Sequence, residues 1–253
     1  MTAQLARKPE NTGVMEIIRC DSSAQAERET AATLRRYITR TAKPALGLAT
    51  GRTMLPVYAW FREWYRDGEL SFANSTSFNL DEYCGLASDD PSNFVSYMRR
   101  NLFNHVDMEE GRFHFPEQTD PEAFDARIGD SGGIGLQLLG IGRNGHIGFN
   151  EPGADRNSRT HVVTLTESTR NANAGDFPAG TPVPEQAVTM GIATILEAQR
   201  IVLLATGNGK ADILKRAFHG PVSSDCPASY LQLHNHVTVI CDGAAAAHLG
   251  EPS

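Results

Sequence analysis

From residue 15 onward the apolar positions switch repeatedly between a continuous or two-residue pattern and a helical one. Residues 15–19 read as a short strand, and residues 24–39 as a helix capped by Asp21 or Ser22. Residues 44–49 form a brief apolar run that ends at Thr50-Gly51-Arg52-Thr53 and passes into a helical stretch through Trp60, Phe61 and Trp64. Residues 77–80 predict another buried strand; beyond it, Asp90 is placed to cap, and Pro91 to open, a helix running to Phe103. The near-continuous apolar runs at 134–141 and 200–205 are those of parallel strands covered on both faces. A helix over 208–218, a strand over 237–241 and an Ala-rich terminal helix complete the series. Strands alternating with helices predict an α/β chain with an open, mostly parallel sheet and helices on both faces.

Residues 1–14 carry no periodicity and read as a flexible tail. No Pro-, Gly- or Ser-rich linker divides the remainder, so residues 15–253 are expected to form a single domain. Its least regular stretch, 171–184, holds Gly175, Pro178, Gly180, Pro182 and Pro184 and has the character of a mobile lid. In 253 residues, 40% hydrophobic and 21% charged positions with 23 Gly and 13 Pro exclude collagen-like and wholly disordered classes. A formal net charge of −7 gives no global field toward nucleic acid or anionic lipid, so any anion must be held locally. No apolar run approaches the ~18–20 residues that span a bilayer. The four cysteines, Cys20, Cys84, Cys226 and Cys241, show no Cys-x-x-Cys spacing; they read as reduced thiols of a cytoplasmic protein.

Ligands of open α/β sheets bind beyond the carboxyl ends of the strands. Thr50-Gly51-Arg52-Thr53 offers backbone N–H groups and a helix start to a phosphate, without matching either nucleotide-binding glycine fingerprint. Asp81 and Glu82 follow a buried strand, where alternation turns one carboxylate to the cleft and the other away. A partly desolvated carboxylate there serves as a general base. The segment from Gly140 to Pro152 has four glycines in nine positions, a density that regular structure disfavours, together with His146 and Glu151 as an acid/base relay. Arg170 and Lys210 lie near strand ends and would supply cations to a phosphate. His234 and His236 lack further ligands, so no metal site is expected, and Gly-x-Ser-x-Gly is absent.

Taken together, these stretches resemble the glucosamine-6-phosphate deaminase (isomerising) family. The matching segments are Leu46-Gly47-Leu48-Ala49-Thr50-Gly51 with Thr53, Phe78-Asn79-Leu80-Asp81-Glu82-Tyr83, the run from Leu139 to Gly153, Ser158-Arg159-Thr160, Ala187-Val188-Thr189-Met190-Gly191, Ala205-Thr206-Gly207 with Lys210-Ala211, and Pro227-Ala228-Ser229 with Leu231, Gln232 and His234. The resemblance implies a Rossmann-like three-layer fold and a hydrolytic deamination in amino-sugar catabolism: glucosamine 6-phosphate and water give fructose 6-phosphate and ammonia. It implies Asp81 as the base moving a proton from C2 to C1, and His146 as the ring-opening group, oriented by Glu151 with Asn144 beside it. Where some relatives carry Asp, Asn144 keeps a hydrogen bond without the charge. Thr50, Gly51, Arg52, Thr53, Arg170 and Lys210 would hold the phosphate, and 171–184 would be the lid. No cofactor and no metal are implied; the partner is a small amino-sugar phosphate, and oligomeric state is left open. The family loop usually reads Thr-Gly-Ser/Gly-Thr-Pro, whereas this chain has Thr50-Gly51-Arg52-Thr53-Met54. An epimeric amino-sugar phosphate is therefore an alternative substrate. A non-catalytic sugar-phosphate sensor has no need of Asp81, His146 and Glu151 together. A 6-phosphogluconolactonase normally continues its Gly-His loop with Thr-Ala-Ser-Leu-Phe-Pro, in place of Ile147 to Pro152 here.

Overall fold

The strands at the centre, β2 (Ala45–Leu48), β6 (Leu136–Leu139) and β9 (Ile201–Ala205), are buried at every position. That is why their sequences show near-continuous apolar runs and no alternation, with Gln137 of β6 the one buried polar side chain among them. The computed structural model describes residues 14–250; the expected tail over residues 1–14 lies outside them except for Val14. Around the central strands, β1 (Val14–Cys20), β3 (Thr76–Asn79), β5 (Phe113–His114) and β10 (His236–Asp242) complete a seven-stranded sheet in the order β1-β10-β9-β6-β2-β3-β5, with every pairing parallel.

Helix α1 (Ser23–Arg40) starts at Ser22, whose side chain accepts from the Gln25 N–H, so of the two cap candidates Ser22 takes the role. α1 and α2 (Leu55–Arg66) both carry the chain from β1 toward β3. Right-handed crossovers therefore set them on one face, where they pack together. α4 (Pro121–Asp130) and α7 (Ala211–His219) connect strands in the opposite direction and so cover the other face. The strand order reverses between β2 and β6, and the four adjacent strands β9, β6, β2 and β3 all release their chains at the same edge. Open α/β sheets bind ligands at such a switch point.

A second, three-stranded antiparallel sheet was not legible as strands: β4 (Asp81–Tyr83), β8 (Gln186–Thr189) and β7 (His161–Thr164), in the order β4-β8-β7. Tyr83, Phe149, Leu165, Phe177, Val183 and Ala187 form a separate small core on it. Phe177 and Val183 belong to the stretch expected to be a lid, so that stretch is pinned by two buried side chains.

Four sequence expectations are corrected. Asp90 does not cap a helix opened by Pro91: its carboxylate accepts from the Ser92 N–H, and α3 (Phe94–Asn101) begins three residues later with Asn93 as N-cap on the Ser96 N–H. That helix also stops before Phe103, which sits in a single 3₁₀ turn. The Ala-rich terminus forms turns closed by Ala246 N–H to Asp242 O and Leu249 N–H to Ala246 O. A run of four alanines between Gly243 and Gly250 is too short to repay helix nucleation. Residues 171–173, counted within the irregular stretch, are the end of α5 (Glu167–Asn173).

Candidate active site

Asp81 is the first residue of β4, and its carboxyl is almost fully buried. Alternation sends the next carboxylate the other way: Glu82 accepts from the Phe94 and Val95 N–H groups at 2.9 Å, complementing the start of α3. Burial, with a smaller contribution from the charge of Glu82, raises Asp81 to about 8. Its Oδ2 lies beside Gly148: a Cβ on that glycine would be 3.6 Å away. Two residues earlier in the same loop stands His146.

The loop that carries His146 turns back on itself, with Gly142 N–H bonded to His146 O at 2.9 Å and Ala228 N–H to Gly145 O at 2.8 Å. The imidazole lies flat over Gly142, where a Cβ would come within 2.2 Å of the ring, so no larger residue fits. His146 Nδ1 is buried, has no hydrogen-bond partner, and sits 3.7 Å from Glu151 Oε2. That distance suits an ion pair and exceeds a hydrogen bond; such contacts tighten when a substrate closes the site. Glu151 is held from both sides, by Asn144 Nδ2 on Oε2 and Thr169 Oγ1 on Oε1. Asn144 Oδ1 also accepts from the His146 N–H at 3.2 Å. Burial works against the Glu151 charge, but His146, Thr169 and Asn144 outweigh it and hold the carboxyl at about 2.

Two strand-end loops share one design. After β2, Gly51 adopts φ 101° and opens a 3₁₀ turn over Arg52–Met54 into α2; after β9, Gly207 adopts φ 85° and opens another over Asn208–Lys210 into α7. Only glycine takes these conformations without strain. The first loop is fixed by Tyr97 Oη on Gly51 O at 2.8 Å, the second by the Asp242 carboxylate on the Gly207 N–H at 3.0 Å. Lys210 reaches back to Ile141 O at 2.6 Å, tying the second loop to the His146 loop; burial, with Arg143 adding, lowers its pKa. Arg170 lies on α5 immediately after Thr169, and its Nε is buried without an acceptor. A buried donor of this kind is what an incoming anion would satisfy. The Arg52 guanidinium turns to Asp176 at 3.0 Å.

The structure thus brings Asn144, His146 and Glu151 into one network and sets Asp81 beside their loop. The Thr50–Thr53 and Lys210 loops leave β2 and β9 at the same edge, on either side of β6. Sequence reasoning missed Thr169 and Asp176; both act through tertiary contacts with residues far along the chain. His234, read as half of a metal pair and set aside, spends its nitrogens on Ala198 O and the His236 N–H.

This chain belongs to the family of glucosamine-6-phosphate isomerases and 6-phosphogluconolactonases, whose pattern matches residues 20–240. Within that family it is 52% identical over 215 residues to the glucosamine-6-phosphate deaminase of Rhodopirellula baltica, covering 82% of this chain and 86% of that one. It is also similar to the solved structure of a monomeric glucosamine-6-phosphate deaminase, with a TM-score of 0.88 and 43% identity over 92% of this chain and all of the other. A 6-phosphogluconolactonase from Trypanosoma cruzi shares the fold, with a TM-score of 0.70, 20% identity and 93% of this chain covered against 97% of that one.

Proposed function

We propose that the protein is a glucosamine-6-phosphate deaminase that opens the sugar ring, moves a proton from C2 to C1 and releases ammonia, leaving fructose 6-phosphate. The observation that carries this reading is a buried Asp81, raised to about 8, beside the loop that presents His146 against a Glu151 carboxyl held at about 2. Relatives 41–52% identical with this activity support it.

His146 relays a proton between the C1 hydroxyl and the ring oxygen, and Glu151 stabilises the ring when it is charged. Asn144 and Thr169 orient Glu151. Asp81 then takes the C2 proton of the open chain, forming the enolamine, and returns it to C1; water adds to the resulting imine at C2, and ammonia leaves. Ring opening exposes the C1 aldehyde that acidifies C2–H, and the amine then carries the enolamine and imine, so the residues named supply the chemistry without a cofactor. The phosphate is held by the backbone of Thr50, Gly51, Arg52 and Thr53 together with Arg170 and Lys210. The domain from residue 15 onward acts as one unit, and 171–184 covers the site.

No helix among the described residues is long and apolar enough to cross a membrane. The deciding experiment is ammonia release by purified protein supplied with glucosamine, galactosamine and mannosamine 6-phosphates, without metal or nucleotide. Turnover of the gluco sugar is the expected result. Turnover of an epimer alone changes the substrate, and silence on all three overturns the reading.

A further inference from the structure

α5 and the turn after it touch three parts of the site at once. Thr169 donates to Glu151 beside His146; Asn173 Nδ2 donates to Tyr83 Oη at 3.0 Å, on the last residue of the strand that begins with Asp81; and Asp176 accepts from Arg52 in the Gly51 loop. Phe177 then closes the segment onto Tyr83, with ring centroids 5.2 Å apart. The Arg52 contact is built into the backbone. Both Nε and Nη2 stand 3.0 Å from the same oxygen of Asp176, and the guanidinium crosses Gly175, where a Cβ would lie 2.6 Å from Nη2. Any side chain at 175 would push the arginine away.

We propose that Arg52 and Asp176 form a strap that holds α5, and with it Arg170, against the Gly51 loop, so that both halves of the phosphate site stand in place before substrate arrives. Arg52 is then a positioning residue through its side chain, while its backbone N–H stays in the loop. The proposal rests on the deaminase reading for its substrate only. Binding gains when the groups that meet a ligand are ordered beforehand. The pair is largely exposed, its side chains 69% and 49% accessible, so its effect is modest: about two- to fivefold in affinity.

The test is a double-variant cycle of Arg52→Gln, Asp176→Asn and the two combined, with Asp176→Glu as the conservative control. KM and kcat for glucosamine 6-phosphate are read together with the dissociation constant of inorganic phosphate. Each single variant should raise KM and the phosphate constant about two- to fivefold with kcat held. The combined variant should lose no more than either single one, and Asp176→Glu should recover most of the loss. Tighter phosphate binding in Asp176→Asn would show that Asp176 instead withholds Arg52 from the anion, and additive losses would show that the two residues act separately; either result overturns the strap. If the wild-type protein turns over none of the sugars, the deaminase reading fails while the phosphate cycle still decides the strap.

Discussion

At the scale of single residues, the site is governed by two carboxyls driven in opposite directions. Asp81 is buried with no donor to compensate it, whereas Glu151 accepts from Asn144 and Thr169 and faces His146. A base with a free-enzyme pKa of about 8 must lose its proton first, so kcat/KM should rise about tenfold per pH unit below 8 and level off above it. A pH–rate profile checks this. The same raised value makes ionised Asp81 a cost to folding: the stability its protonated form retains is present below the ordinary carboxyl range, near pH 4, and is lost as pH rises to about 8. Asp81→Asn should therefore abolish turnover yet melt higher than wild type at pH 8, each 1 kcal/mol moving Tm by about 2–4 °C. A variant that turns over normally removes Asp81 from the proton transfer. Glu151→Gln should cost about 10²- to 10⁴-fold on the cyclic sugar and less on an open-chain analogue, because in the proposed mechanism only ring opening uses the His146 pair. Equal losses on both substrates would place the pair elsewhere in the reaction. Thr169 shows why part of this network was illegible: nothing in Ser168-Thr169-Arg170 tells which hydroxyl reaches a glutamate eighteen residues earlier.

Elements were legible in proportion to how local their causes are. β2, β6 and β9 announce themselves because total burial favours apolar residues at almost every position, Gln137 being the exception. The second sheet does not. β4 is separated from β3 by Leu80 alone, so the two merge into one run, and β7 alternates between half-buried and exposed positions with only His161, Val162, Val163 and Thr164 to show it. Its partner β8 arrives only after the irregular stretch, beyond the reach of a local pattern. The start of α3 failed for a similar reason: Asp90-Pro91 is a plausible cap, but Glu82 gathers the N–H groups of Phe94 and Val95 and so fixes where the helix begins. The strand–turn–helix unit at Gly51 was legible and carries its own prediction. Gly51→Ala forces a left-handed conformation on a residue with a Cβ, which should cost about 1–2 kcal/mol of stability in chemical denaturation. It should also raise KM, since the amides that follow are displaced.

For the whole molecule, the residues proposed for catalysis and phosphate binding stand at the carboxyl edge of the sheet, and the amino edge carries cations of its own. A cleft of about 740 Å³ there is bordered by Arg36, Arg40, Lys43 and Arg200. Arg40 stands in the last turn of α1, where a cation offsets the negative helix end and needs no ligand to account for it. The proposed phosphate site at the opposite edge should couple to global stability. Fructose 6-phosphate at 100 times its dissociation constant should stabilise the fold by about 2.7 kcal/mol in thermal unfolding. Lys210→Ala should lose most of that gain, and an undiminished shift would remove Lys210 from the site.

The pairing of β1 with β10 delays closure of the sheet until late in its synthesis. β1 is an edge strand whose neighbour in the sheet is β10. At about 5–20 residues per second, the ribosome spends on the order of 10–40 s between synthesising the first strand and its partner. Throughout that interval, Met15, Ile17 and Ile18 emerge without the surface that later half-buries them. The sheet can grow outward from β2, β3 and β6 while translation continues, but its β1 edge is closed only once β10 has been made. Nascent chains stalled before His236 should thus be the species that chaperones hold and proteases remove.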